Sequence, residues 1–93
     1  MKTFKDLVFK EHSVAKGAKE ACKRGIDMQE YTKAKQAIIK FDNAKSVSVL
    51  FGSVFYSNGI DTYEAWCQEI DREPRGYLTK EQVTEYMIEV QKL

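Results

Sequence analysis

The chain is short of the residues that carry most recognisable chemistry. Its 93 residues include one histidine, two cysteines, one proline and three arginines, and its five glycines stand well apart from one another. Dispersed glycines exclude a phosphate-cradling loop, which needs them clustered so that backbone amides converge on the anion. His12, Cys22 and Cys67 are scattered, with no CxxC, HxxE or HxxxH spacing, so no metal-ligating set is expected. A Cys–His catalytic pair would have to join Cys22 or Cys67 to the single histidine, which is weak ground for nucleophilic catalysis. Glu69, Asp71 and Glu73 form a carboxylate cluster on a polar connection where solvation explains them, so paired-acid catalysis has no support either. The expectation is therefore a protein that is not an enzyme, with no catalytic residues, no cofactor and no metal.

Long apolar runs are also missing. Nothing approaches the roughly 20 residues needed to span a bilayer, and the start has no signal-peptide apolar core. The reading is a cytoplasmic protein without membrane association, in which Cys22 and Cys67 stay reduced.

What is present is a globular balance, 43% hydrophobic and 31% charged, at a length that suits one domain over residues 1–93. The net charge of +1 hides an asymmetry. Residues 1–45 hold 11 Lys/Arg against 6 Asp/Glu, or +5, and residues 46–93 hold 4 against 8, or −4. Such a basic half attracts phosphate or an acidic protein surface, unless its lysines are simply solvated.

The clearest element is the last. Thr79 and Gln82 fit a capping box, and Val83, Tyr86, Met87, Val90 and Leu93 follow on one side at helical spacing. That stripe needs a partner, and alternating segments upstream supply one. Ala37, Ile39 and Phe41, then Val47, Val49 and Phe51, alternate with their neighbours on either side of Asp42-Asn43-Ala44-Lys45, predicting a hairpin whose turn uses the tolerance of Asn for positive φ. Tyr63 to Ile70 reads as a third strand after a Ser57-Asn58-Gly59 turn, and Leu7 to Lys10 as a short edge strand with Leu7 and Phe9 inward. Asp71 to Gly76 reads as a polar connection in which Pro74 ends any strand. Ser13 is the expected N-cap of a helix to about Arg24, stopped by Gly25, with a weak stripe of Val14, Ala18, Ala21 and Cys22. Residues 26–35 fit either a short helical turn capped by Asp27 or a loop. The expected fold is α+β: an antiparallel sheet of three to four strands packed against the C-terminal helix, with an inserted helix in the N-terminal half.

With chemistry set aside, surface remains. Phe51, Phe55, Tyr56, Tyr63 and Trp66 are more aromatic side chains than one face of a small sheet easily buries, and exposed aromatics anchor interfaces. Ile88 lies opposite the helical stripe, either as an isolated surface residue or as a partner contact. Lysines 33, 35, 40 and 45 can track phosphates while Phe55 or Tyr56 stacks on bases, but arginine is scarce and no RNA-binding strand motif is present.

Three stretches, MKTFKDLVF, QAIIKFDNAKSVSVLFG and GYLTKEQVTEYMIEVQKL, together about half of the chain, resemble a group of short proteins encoded by bacteriophages and prophages. The chain departs from that pattern at residues 13–33, which look like a helical insertion, and at Asn43-Ala44, where Asn-Gly is usual. In general form the group is similar to anti-CRISPR proteins. The resemblance implies strands followed by a C-terminal helix, and a non-enzymatic inhibitor that binds a host protein or ribonucleoprotein complex of a defence system in the host cytoplasm. On that reading the partner-binding residues are Phe55, Tyr56, Trp66, Glu69, Asp71, Glu73 and Ile88, with Lys16, Lys19, Lys23 and Arg24 on the insertion meeting an acidic patch. The acidic second half would act as a phosphate mimic. The alternative is a small nucleic-acid-binding accessory protein.

Overall fold

In the computed structural model, which describes residues 1–93, the order of strands in space is their order in sequence. Strands β1 (Lys10–Glu11), β2 (Lys35–Lys40), β3 (Ser46–Phe51), β4 (Tyr63–Trp66) and β5 (Arg75–Leu78) form one antiparallel meander. Helix α1 (Ser13–Lys23) lies between β1 and β2, and α2 (Lys80–Gln91) follows β5. The class is α+β, with five strands where the sequence suggested three to four.

The additional strand is β5, in the segment read as a polar connection. Pro74 stands just before it, where a missing N–H costs no ladder bond, so it introduces a strand instead of ending one. The pairing is interrupted: Tyr63 lies opposite Leu78 and Ala65 opposite Arg75, with a register shift between them. Tyr77 at φ +54 sits in that irregularity, which erases the period-two pattern that sequence reading relies on. Strand β4 is shorter than expected. It stops at Trp66, because the Ile70 and Asp71 amides both turn back to the Cys67 carbonyl, at 3.1 and 3.0 Å.

The hairpin forms as expected, with Ala37 opposite Val49 and Ile39 opposite Val47. Its turn works differently. Ala44, not Asn43, takes the left-handed conformation, at φ +68. The Asn43 side chain instead donates to the Val90 and Leu93 carbonyls at 2.8 and 3.2 Å, and accepts from the Lys45 amide, fastening the turn to the end of α2.

Helix α2 begins with the capping box: Thr79 Oγ1 accepts from the Gln82 amide at 3.2 Å and Gln82 Oε1 accepts from the Thr79 amide at 2.9 Å. Val83, Tyr86, Met87 and Val90 are buried against Val47, Val49, Tyr63, Ala65 and Cys67. Leu93 does not join the stripe. The helix ends at Gln91, and Leu93 is exposed.

Leu7 and Phe9 do turn inward, but only Lys10 and Glu11 pair with the sheet. The preceding residues are tied to α2 instead. The Phe4 amide donates to Thr84 Oγ1 at 3.0 Å and the Lys2 amide to Gln91 Oε1 at 2.8 Å. Phe4, Phe9 and Phe51 then surround Tyr63, with ring centroids 4.9, 5.8 and 5.1 Å from it.

The N-cap of α1 is His12, not Ser13: its Nδ1 accepts from the Val14 amide at 3.0 Å. Gly25, at φ +83, follows the helix end as expected. The buried helix positions are Ala15 and Ala18, whereas Val14, Ala21 and Cys22 are only half-buried. Of residues 26–35, Gln29–Lys33 take the helical-turn alternative as a 3-10 segment, but its N-cap position is Met28 and not Asp27, whose Oδ1 accepts from the Gln29 amide at 3.4 Å, and Lys35 already belongs to β2. Helix α1 packs on this segment, so the molecule is drawn out to 47 × 25 × 22 Å.

Candidate interaction surface

Strand alternation and the pairing register place the residues of each face. The side turned from α2 carries Lys10, Gln36, Leu50 and Glu64 in one row and Ile38, Ser48 and Trp66 in the next. No helix lies over this far face. Loop 52–62 crosses its β4–β5 end, held by a dense set of turn bonds. Ser57 Oγ donates to the Thr62 carbonyl at 2.6 Å and accepts from the Gly52 and Gly59 amides, while Asn58 Oδ1 accepts from the amides of Ile60, Asp61 and Thr62. The Tyr56 amide donates to Glu64 Oε1 at 3.2 Å, which satisfies a carboxylate that the loop has buried. Gly76 makes the close crossing feasible, since a Cβ there would lie 2.5 Å from Tyr56 Cβ.

The result is an apolar and aromatic strip in water. Ile38 is 67% exposed, Tyr56 57% and Tyr77 60%, with Leu50 and Trp66 half-buried between them. The Tyr56 and Tyr77 rings lie 6.3 Å apart, and the Tyr77 amide donates to the Tyr56 carbonyl at 2.8 Å. A positive φ at a residue as bulky as Tyr77 is strained, and the surrounding bonds hold it there with the ring outward.

Of the residues expected to bind a partner, Tyr56 and Trp66 belong to this face. Phe55 does not: it is half-buried with its ring 5.2 Å from that of His12, at the root of α1. Asp71 is committed to the fold. It accepts from Tyr86 Oη at 2.6 Å and from Arg75 Nε at 3.1 Å, while Arg75 Nη1 reaches Glu89 at 3.2 Å and its guanidinium lies over the Tyr86 ring. Tyr86 Oη also accepts from the Cys67 amide at 2.9 Å, and Trp66 Nε1 donates to the Asp71 carbonyl at 3.0 Å. These bonds clamp β5 and the preceding connection onto α2. The Tyr86 hydrogen bond holds the Asp71 carboxyl below its usual range, and burial followed by that bond pushes the Tyr86 phenol upward. Glu69 and Glu73 are exposed, Glu69 accepting from the Cys67 thiol at 3.4 Å. Ile88 is half-buried, so it is not a free hydrophobic contact.

The basic residues are separate from the aromatic strip. Lys16, Lys19, Lys23 and Arg24 are exposed on and just beyond α1, with Lys19 paired to Glu11 at 2.6 Å and Lys23 to Glu20 at 3.5 Å. The lysines expected to track a nucleic-acid backbone do not align. Lys35 and Lys40 differ by an odd number of positions along β2 and so occupy opposite faces of the sheet.

Residues that the sequence reading missed are Ile38, Leu50 and Tyr77. The first two alternate as legibly as their neighbours, but alternation does not say which side acquires the helix. Tyr77 lay in a segment not recognised as a strand. Groups able to do covalent chemistry are poorly placed for it. Burial pushes the Cys67 thiol up, away from the reactive thiolate, and the His12 Nδ1 lone pair is occupied by the Val14 amide. No three His, Cys, Asp or Glu side chains are grouped to hold a metal, and no helix is long and apolar enough to cross a membrane. No family model matches the chain, and no curated protein or solved structure is significantly similar to it.

Proposed function

We propose that the protein is a non-enzymatic, protein-binding inhibitor of the kind phages direct at a host defence complex, and that it binds through the far face of its sheet. The observation that carries this reading is the strip of Ile38, Tyr56 and Tyr77, each more than half exposed on a sheet face that has no helix. Tyrosine anchors of that kind gain affinity by being desolvated at the centre of an interface, and their rigid side chains lose little entropy on docking. The inhibitor acts by occlusion: covering a functional surface of the target needs shape and contact, with no reacting group. The origin and the class of target rest on the resemblance of the sequence to phage-encoded proteins.

The test is capture of partners from lysate of a bacterium carrying an active defence system, beside phage survival in cells that express the protein. A defence component should be retained by the wild-type chain and lost from an Ile38→Lys/Tyr77→Lys variant, with phage survival falling in parallel. If no defence component is recovered and survival is unchanged by expression, the reading fails. The nucleic-acid alternative is weakened by the opposed orientation of Lys35 and Lys40. Tight, steeply salt-dependent binding of DNA or RNA would restore it.

A further inference from the structure

At the end of the hairpin where Lys35 lies opposite Phe51, the molecule opens into a cleft of about 600 Å3, between the Gln29–Lys33 segment and loop 52–59. That volume suits a small molecule, for which sites of about 300–1,000 Å3 are usual. The lining is unlike that of a typical small-molecule site. Phe51 is its one hydrophobic side chain, so an apolar ligand has little to bury against.

What lines it instead is chemistry for an anion. Lys33 and Lys35 both border the cleft, and neither has a carboxylate partner, since the ion pairs of the molecule use Lys19, Lys23 and Arg75. Two ammonium groups on one concavity repel each other, and a dianion between them converts that repulsion into two attractions. Ser53, on the opposite wall, donates neither its amide nor its hydroxyl to any protein atom. Its amide is held close to the loop's return: a Cβ on Gly59, at φ +72, would lie 3.2 Å from the Ser53 nitrogen.

The same cleft contains Glu30 and the Gln29 amide. A carboxylate beside two lysines disfavours a bare multivalent anion and favours a ligand that combines a phosphate with neutral hydrogen-bond donors. We infer that the cleft binds a nucleoside monophosphate: its phosphate between Lys33, Lys35 and Ser53, its ribose hydroxyls or base amine toward Glu30 and Gln29, and its base against Phe51. This site is separate from the far face of the sheet and stands or falls independently of the partner bound there.

An amide-resolved NMR titration of the full chain tests it, using the four ribonucleoside monophosphates, a nucleoside, inorganic phosphate and a short single-stranded RNA. At least one monophosphate should give saturable shifts at the Lys33, Lys35 and Ser53 amides, with Kd below about 1 mM. Inorganic phosphate and the nucleoside should each bind about tenfold or more weakly, because each makes only part of the charge-assisted and neutral hydrogen-bond set. The Lys33→Gln/Lys35→Gln variant changes two exposed side chains, so it should fold and lose the binding. Glu30→Gln should tighten inorganic phosphate and narrow its gap from the nucleotide. Absence of saturable shifts in the cleft, undiminished binding by the double variant, inorganic phosphate binding as tightly as any nucleotide, or binding of the RNA alone would each overturn the assignment.

Discussion

On the side of the sheet that meets α2, Val47, Val49, Ala65 and Cys67 are fully buried with Val83, Met87 and Val90. On the other side, Ile38 is 67% exposed although its neighbour Ile39 packs on the core. The same strands supply both faces by the same alternation, and both carry residues a core would accept. The difference is the helix. A side chain's hydrophobicity sets what it gains from burial, and the neighbouring layer decides whether burial occurs. An apolar residue left outside therefore contributes little to folding and is available to a partner.

The largest effect expected from this contrast comes from cutting an apolar side chain in the layer between α2 and the sheet and another on the uncovered face. Met87→Ala should cost about 2–5 kcal/mol of stability in a urea titration, since it removes a fully buried side chain and leaves a cavity. Ile38→Ala should stay within about 0.5 kcal/mol of wild type while reducing capture of the partner. Equal losses at the two sites would mean that the far face is covered.

The clamp between the layers is the next place to press. Tyr86→Phe leaves the Cys67 amide without its acceptor and Asp71 without its strongest donor, and should cost about 1–3 kcal/mol. It also predicts a pH dependence. The Asp71 carboxyl is lowered in the fold, chiefly by the Tyr86 hydrogen bond, so its contribution is present above the ordinary carboxylate range near pH ~4 and is lost as pH falls through the lowered value. Wild type and Tyr86→Phe should therefore draw closer in stability as the solution is acidified, measured by thermal unfolding at a series of pH values. A constant gap would assign the clamp to packing alone.

The smallest expected effect has the opposite sign. Ala44 holds φ +68 in the hairpin turn, a conformation that disfavours Cβ by roughly 1–2 kcal/mol, partly offset by the greater unfolded-state entropy of glycine. Ala44→Gly should raise stability by up to about 1 kcal/mol, read from the shift in urea midpoint. A loss would show that the turn relaxes to another type.

Several of these features were legible in the residues and others were not. The capping box and stripe of α2 and the hairpin register follow from patterns within one element, where spacing alone places each side chain. Strand β5 is hidden from sequence reading because its bulge breaks the alternation and because a proline lacks the N–H of a ladder donor and so reads as a strand terminator. The cap of α1 was displaced by one residue: both Ser13 and His12 carry an acceptor, and the backbone path from β1 selected the imidazole. On the candidate surface, Tyr56 and Trp66 were recognisable as surplus aromatics. Phe55 was drawn away by packing on His12, and Asp71 by Tyr86, contacts between residues far apart in the chain that no local pattern encodes.

The amino-acid sequence by itself determined the α+β character, the capping box that starts α2 and the two-sidedness of the hairpin, because periodicity and capping act over a few neighbouring residues. The tertiary structure alone decided which side of the sheet faces water, that Lys33, Lys35 and Ser53 share one cleft, and that α1 extends the molecule and leaves the sheet uncovered. Those outcomes depend on where α2 and loop 52–62 come to rest, and that is settled by burial summed over the whole chain.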